Sequence, residues 1–462
     1  MKKFMDEDFL LENEVSKKLY FDYASKMPIV DYHCHISPKE IAEDKKFSSI
    51  TELWLGGDHY KWRLMRANGI DEKYITGDGS DFEKFYYFAK TLEKAIGNPV
   101  YHWSHLELKR YFGYDGVLNS KTCKEVFELC NEKLKTMSVK KIISDSNVKL
   151  LCTTDDPIDD LRYHDLIKED KEFSTVVLPA FRPDKVVNIS KEGFKDYIDK
   201  LSDVSNVKIE SLDSLLKALD IRIDYFVSKG CLVADHGLDY LMYEEGNVED
   251  IFLKAMNREI LSQKEVDAYK TYMLLYFSKK YREKGIVMQL HFGCLRNNNS
   301  LISAPDTGYD SINNYAPADK MVKLIDHMNL NGLPKTILYS LNPNDDELID
   351  TIIGCFQNDD CVAKIQHGSA WWFNDNKTGM LKQMNSLANG GLLGNFVGML
   401  TDSRSFISYP RHEYFRRIMC NYIGSLVENG EYPYDEDNLK EIVEDISYNN
   451  ALKYFGFDKE IK

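Results

Sequence analysis

The sequence predicts an α/β protein folded as a closed (β/α)8 barrel. Three observations carry that expectation. Eight short apolar, β-branched runs recur along the chain, and each ends in polar or charged residues. Helix-length stretches separate them, and strands that alternate with helices form parallel sheets. The 462 residues suit an elaborated barrel read as one domain, residues 1–462.

The runs fall at 28–33, 148–153, 175–180, 231–235, 286–291, 336–341, 361–366 and 394–401. Eight of them point to a closed barrel over an open doubly wound sheet. Residues 248–284 and 318–328 carry apolar positions at helical spacing. The gap between the first two runs is too long for one crossover helix. Residues 37–145 hold helix-like, aromatic-rich pieces, among them 82–95 and 123–136. They read as a helical insertion after strand one, covering the barrel mouth. A separate domain is the alternative, but no Pro/Gly/Ser-rich linker marks either junction. Residues 411–462 read as the last barrel helix plus one more.

Composition narrows the partners. Net charge is −15, which disfavours nucleic acid and anionic membrane surfaces. An anionic small substrate would need a local arginine or lysine cluster. Nine cysteines without a Cys-x-x-Cys pair fit reduced thiols in a cytoplasmic protein. The acidic start, Asp6-Glu7-Asp8, is no signal peptide, and no run approaches a membrane span of ~20 apolar residues. A homo-oligomer is compatible with this balance.

In such barrels chemistry sits at the C-terminal ends of the strands. The first run leads into Asp31-Tyr32-His33-Cys34-His35. On a strand His33 and His35 project to one face, which is half of a divalent metal site, and Cys34 points away. The plain alternative is two histidines satisfied by hydrogen bonds. The eighth run ends at Asp402. Closure makes strand eight the neighbour of strand one, so His33, His35 and Asp402 can converge. Two histidines and a carboxylate leave open positions, and Zn, Mn, Co or Fe would suit them. For Asp402 the alternatives are a helix N-cap or a salt bridge to Arg404. His291, ending the fifth run, could be a fourth ligand, but substrate contact or a supporting hydrogen bond ranks ahead.

Arg182 and Arg404 each follow an apolar run, and paired guanidinium groups suit a carboxylate. A surface ion pair is the ordinary reading of either one alone. Gly57-Asp58-His59-Tyr60-Lys61-Trp62-Arg63 puts a base, a phenol and two cations into one loop, a candidate lid.

With these residues assembled, the chain resembles the uronate (glucuronate) isomerase family of the amidohydrolase superfamily, over nearly its whole length. The marks are Asp31-Tyr32-His33-Cys34-His35, Asp58-His59-Tyr60-Lys61-Trp62-Arg63, Phe181-Arg182-Pro183-Asp184, Gln289-Leu290-His291-Phe292-Gly293, Arg296-Asn297-Asn298-Asn299, Trp371-Trp372-Phe373-Asn374-Asp375 and Leu400-Thr401-Asp402-Ser403-Arg404-Ser405. The His-x-His pair is shared across the superfamily; the double-Trp and Thr-Asp-Ser-Arg stretches together are far more specific. The resemblance implies a distorted TIM barrel with one divalent metal, usually zinc. It implies interconversion of D-glucuronate with D-fructuronate and of D-galacturonate with D-tagaturonate. Carried over by motif, His33, His35 and Asp402 hold the metal. Tyr60, Arg182 and Arg404 contact substrate, with His59 and Trp372 nearby. Binuclear hydrolases of the superfamily use a bridging lysine. Here Arg182 and Asp235-His236 stand at strands three and four, so a second metal is not expected.

Aldose–ketose isomerisation moves hydrogen from C2 to C1 through an enediol. Asp402 is the first choice for the proton transfer, Tyr60 the alternative, with Arg404 at the oxygens. The nearest rival is a metal-dependent hydrolase on the same barrel. A sugar-acid binding protein without turnover is the rival of another class.

Overall fold

The computed structural model describes residues 2–301, 307–315 and 317–461. Its strands are β1 (Ile29–Asp31), β2 (Val148–Cys152), β3 (Val176–Leu178), β4 (Ala180–Phe181), β5 (Val233–Gly237), β6 (Val287–Phe292), β7 (Cys294–Leu295), β8 (Ser311–Ile312), β9 (Thr336–Ser340) and β10 (Ile365–His367). Parallel pairing runs β1-β2-β3 and β4-β5-β6-β9-β10. Pro179, with no N–H to donate, separates β3 from β4. Pairing resumes beyond it: Asp155 N donates to Ala180 O at 3.0 Å and Arg182 N to Asp155 O at 2.9 Å. The two sheets are one wall interrupted at a proline. Seven of the eight runs thus supply its strands.

The eighth run differs from expectation. Residues 394–401 form no regular strand; a short 3-10 turn, Leu393–Asn395, is followed by irregular chain. The reason is local. Gly398 takes φ +78, and a Cβ there would stand 2.2 Å from Ile446 O. The N–H and hydroxyl of Thr401 both donate to the buried Asp31 carboxylate, at 2.8 and 2.5 Å, where a neighbouring strand would have offered a carbonyl. The segment still closes the barrel. Asp402 N donates to His33 O at 3.2 Å, and His35 N to Ser403 O at 2.9 Å. On its other flank Gln366 Nε2 donates to Asn395 O at 2.9 Å. The result is a distorted (β/α)8 barrel.

Smaller boundaries also move. β1 stops at Asp31, so the two histidines lie just past its regular ladder. β10 starts at Ile365, because residues 361–364 turn, with Ala363 at φ 47. The stretch 248–284 is two helices, Val248–Met256 and Gln263–Lys284. Arg258 at φ 61 breaks the first, and a capping box between Ser262 and Glu265 starts the second. The antiparallel ribbon β7–β8 lies outside the barrel order.

Helices do occupy the long gap, from Pro38–Ala42 to Val139–Asp145, with Asp81–Leu92 and Cys123–Leu134 near the expected pieces. Their buried Trp54, Phe85 and Phe88 belong to the same apolar cluster as Val30 and Leu150 of the barrel wall. The candidate lid is not a loop throughout. Asp58 caps the helix His59–Ala67 by accepting from Tyr60 N at 3.0 Å and Lys61 N at 3.2 Å, and its carboxylate also pairs with Lys61 Nζ. After the barrel come Pro410–Glu428 and the shorter Glu436–Glu444 and Asn450–Phe455.

Candidate metal and substrate site

Closure brings three donors to one point. His33 Nε2 lies 3.2 Å, and His35 Nε2 3.0 Å, from the same oxygen, Asp402 Oδ1. Donors that share an ion at about 2.0–2.2 Å sit roughly 3.0–3.5 Å apart, so this set fits one divalent metal. The two rings stand on one side of the chain, centroids 5.0 Å apart. Cys34 points away, its thiol donating to Cys152 O at 3.2 Å.

Asp402 is held tightly. Trp371 Nε1 donates to its Oδ2 at 2.9 Å, leaving Oδ1 to the histidines. Its backbone adopts φ 46, and that of Trp372 φ 53, both in the left-handed region that bulky residues avoid. Such strain persists where surrounding structure over-determines it, and it concentrates at functional sites. Burial opposes charge on Asp402, but hydrogen bonds from His33 and His35 hold it well below the usual carboxylate range. Burial pushes His35 down to about 4 despite Asp402, which favours the neutral imidazole that ligates metals. Burial also opposes charge on His33, yet Asp235 and Asp402 outweigh it and raise its pKa.

His33, Asp235 and His291 form a second convergent group. There the carboxylate already has a cation, since Arg182 Nη1 stands 3.0 Å from Asp235 Oδ2. His291 therefore belongs to a hydrogen-bonded group beside the first set. Its Nδ1 lies 2.6 Å from Asp235 Oδ1, and its ring stacks on Tyr339 at 4.1 Å and on His33 at 4.8 Å.

Beside these residues lies a cavity of about 350 Å³, lined by His33, His35, His291 and Asp402 and also by His59, Arg182, Trp372 and Arg404. That is room for a small polar molecule. Tyr60 lies in an adjoining narrow cleft that it shares with His59, Asp402 and Arg404. The Tyr60 ring stacks on His59 at 4.7 Å, and His59 meets Trp372 edge-on at 5.4 Å. The nine residues given a metal, substrate or proton-transfer role from the sequence thus line one of two neighbouring hollows, while Arg63 of the candidate lid lines a separate one. A larger hollow, about 520 Å³, lies by Ile29 and Asn147 at the opposite ends of the strands, away from the face where this fold places its chemistry.

Two residues that the sequence reading names without assigning them a role also contribute. Asp235 was noted only as a strand end, and its partners come from three other strands. Arg296 lines the cavity with its guanidinium 5.7 Å from the centre of the Trp372 ring. Its position depends on the β7–β8 ribbon, which no periodicity signalled. Arg182 proves less available than expected. Its Nε donates to Asp184 Oδ2 at 2.8 Å and its Nη1 faces Asp235. Gly237 makes room for it: a Cβ there would come within 2.7 Å of Arg182 Nη2 and 2.9 Å of Asp184 Oδ2.

A family model described as glucuronate isomerase matches residues 1–455. A uronate isomerase of Lachnospira eligens is 58% identical, covering 99% of this chain and 100% of that one. One from Endomicrobium trichonymphae is 56% identical with the same coverage. The crystal structure of a uronate isomerase from Thermotoga maritima superposes with a TM-score of 0.92 at 35% identity, over 98% of this chain and 100% of its own. A glucuronate isomerase structure from Caulobacter crescentus, 23% identical, agrees in fold with a TM-score of 0.91 over 98% of this chain and 97% of its own. A likeness that spans the insertion, the paired histidines and the closing aspartate alike places the chain in the glucuronate isomerase family.

Proposed function

We propose that this protein is a uronate isomerase. It interconverts D-glucuronate with D-fructuronate, and D-galacturonate with D-tagaturonate, by moving a proton between C2 and C1 through an enediol. One observation carries the reading: in a chain of this family, both histidines that follow the first strand meet Asp402 at a small cavity lined by arginines. We read residues 1–462 as one working unit, with the helical insertion as cover for the barrel, in the amidohydrolase superfamily and in the cytoplasm. All nine cysteines are free thiols, as a reducing compartment keeps them.

His33, His35 and Asp402 would hold one divalent ion, zinc in the first instance. When bound it supplies a Lewis acid at the reacting oxygens. The chain's own groups do the rest. The open-chain aldehyde makes the C2 hydrogen acidic only if charge developing on the oxygens is stabilised. Arg404, on the turn after Asp402, faces those oxygens, and such fixed donors often contribute the larger share of the acceleration. Asp402 takes or relays the proton, worth roughly 10²–10⁴-fold for a positioned base. Tyr60, across the narrow cleft from Asp402, is the second group able to exchange it. Arg182 offers its remaining edge to the C6 carboxylate, and Arg296 adds a second cation from the ribbon side. His59, His291 and Trp372 contact the hydroxyl-bearing chain.

A coupled assay with glucuronate and with galacturonate, run with and without chelator, tests this reading. Turnover of either uronate that chelator abolishes supports it. Activity only on lactones or amides would establish the hydrolase instead, and binding without conversion the idle barrel.

A further inference from the structure

Asp235 is the most enclosed carboxylate of the site, with no exposed surface. It lies on β5, between β4, whose chain leads to Arg182, and β6, which carries His291. One oxygen, Oδ1, lies 2.6 Å from His291 Nδ1. The other, Oδ2, is 3.0 Å from Arg182 Nη1 and 4.0 Å from His33 Nδ1. Beyond Arg182 the chain of contacts continues to Asp184, which also accepts from Gly237 N at 2.9 Å. Four side chains therefore form one line along the cavity: Asp184, Arg182, Asp235, His291.

This line has a chemical consequence for His291. An ionised carboxylate only accepts, so the ring nitrogen facing it at 2.6 Å must donate. A neutral imidazole has one N–H, and with that on Nδ1 the lone pair is on Nε2. Nε2 is buried and finds no hydrogen-bond partner among the described residues. The ring plane is held by stacking on Tyr339, with planes only 5° apart, and its orientation by the bond to Asp235.

We propose that Asp235 is a positioning residue for the isomerisation: it fixes His291 as a hydrogen-bond acceptor toward a substrate hydroxyl and locks Arg182 in register with it. This rests on the uronate isomerase reading, which supplies the hydroxyl. Asp235 acts through these two neighbours. It makes the carboxylate-binding and hydroxyl-binding ends of the cavity a single rigid unit.

The test uses the full-length, metal-loaded protein and four forms: wild type, Asp235→Asn, His291→Asn and the double variant. Metal per chain and unfolding temperature are measured on each. The asparagine at 291 keeps an N–H near the Nδ1 position but has nothing in place of Nε2. Expected is a loss in kcat of at least thirtyfold for each single variant, with KM changed less than fivefold in His291→Asn and metal content unchanged. The double variant should lose no more than about threefold beyond the worse single, since coupled residues are non-additive. Folded, metal-loaded Asp235→Asn with kcat within threefold of wild type overturns the proposal. So do losses that multiply in the double variant. If Asp235→Asn does not fold, His291→Asn decides alone, and near-normal turnover there overturns it. A wild type inactive on both uronates would instead sink the functional reading, and this inference with it.

Discussion

Trp371 donates its indole N–H to Asp402 Oδ2 at 2.9 Å, so the carboxylate can present only Oδ1 to His33 and His35. A tryptophan beyond β10 thereby orients the carboxylate on the neighbouring closing segment. Trp371→Phe keeps the ring against His291, 4.8 Å away, and removes only the donor. Outer partners of metal ligands are typically worth 10–100-fold in affinity. We expect metal affinity to fall by about that factor, read by competition with a chromophoric chelator, with the fold intact.

Asp402→Asn removes the charge and keeps the shape. Turnover should fall at least about 100-fold, the lower end of what a positioned base contributes. Metal binding should weaken as well, because a neutral amide replaces the carboxylate ligand. Assay at saturating metal separates the two effects. Near-normal turnover with metal bound would remove Asp402 from the proton transfer.

Gly237→Ala should act through Arg182. The added methyl would press on Nη2 at 2.7 Å, and on the Asp184 carboxylate that takes the 237 N–H. The guanidinium must shift out of register. KM for glucuronate should rise about tenfold, equivalent to roughly 1.4 kcal/mol, with kcat less affected. Steady-state kinetics reads the split.

Stability should depend on pH above neutrality. His367 is buried at the end of β10; burial opposes its charging, but Asp346 and Asp350 outweigh that and push it up to about 9. A raised folded-state pKa contributes stability that is full below the unfolded value of about 6.5 and is lost as pH rises through 9. Burial also raises the carboxyls of Glu107, Asp155 and Asp375 to about 7, and each raised acid loses its contribution on the way up through that pH. The unfolding temperature should therefore fall steadily from pH 6 to 9. His367→Asn should be less stable at pH 6 and flatter over the window. A scan of thermal unfolding against pH checks both.

Much of this site was legible in the chain because strand geometry is simple. His33 and His35 are two residues apart, which forces a common side even though the regular ladder ends at Asp31. Asp402 followed from closure alone. What stayed hidden depends on backbone irregularity or on three-body contact. The left-handed turn at Asp402 and the departure of residues 396–402 from a ladder arise from Gly398 and the Asp31–Thr401 bonds, both set by tertiary neighbours. Asp235 looked like any strand-end acid until Arg182 and His291 were seen on either side of it. Arg296 reaches the cavity only through a two-residue ribbon too short to show a period.

His33, His35 and Asp402 should share one ion. A crystal structure of the protein loaded with zinc, with anomalous data collected at the metal edge, tests it most directly. A single peak is expected about 2.0–2.2 Å from His33 Nε2, His35 Nε2 and Asp402 Oδ1. A peak seated instead among His33, Asp235 and His291, or none at either group in zinc-saturated protein, would contradict it.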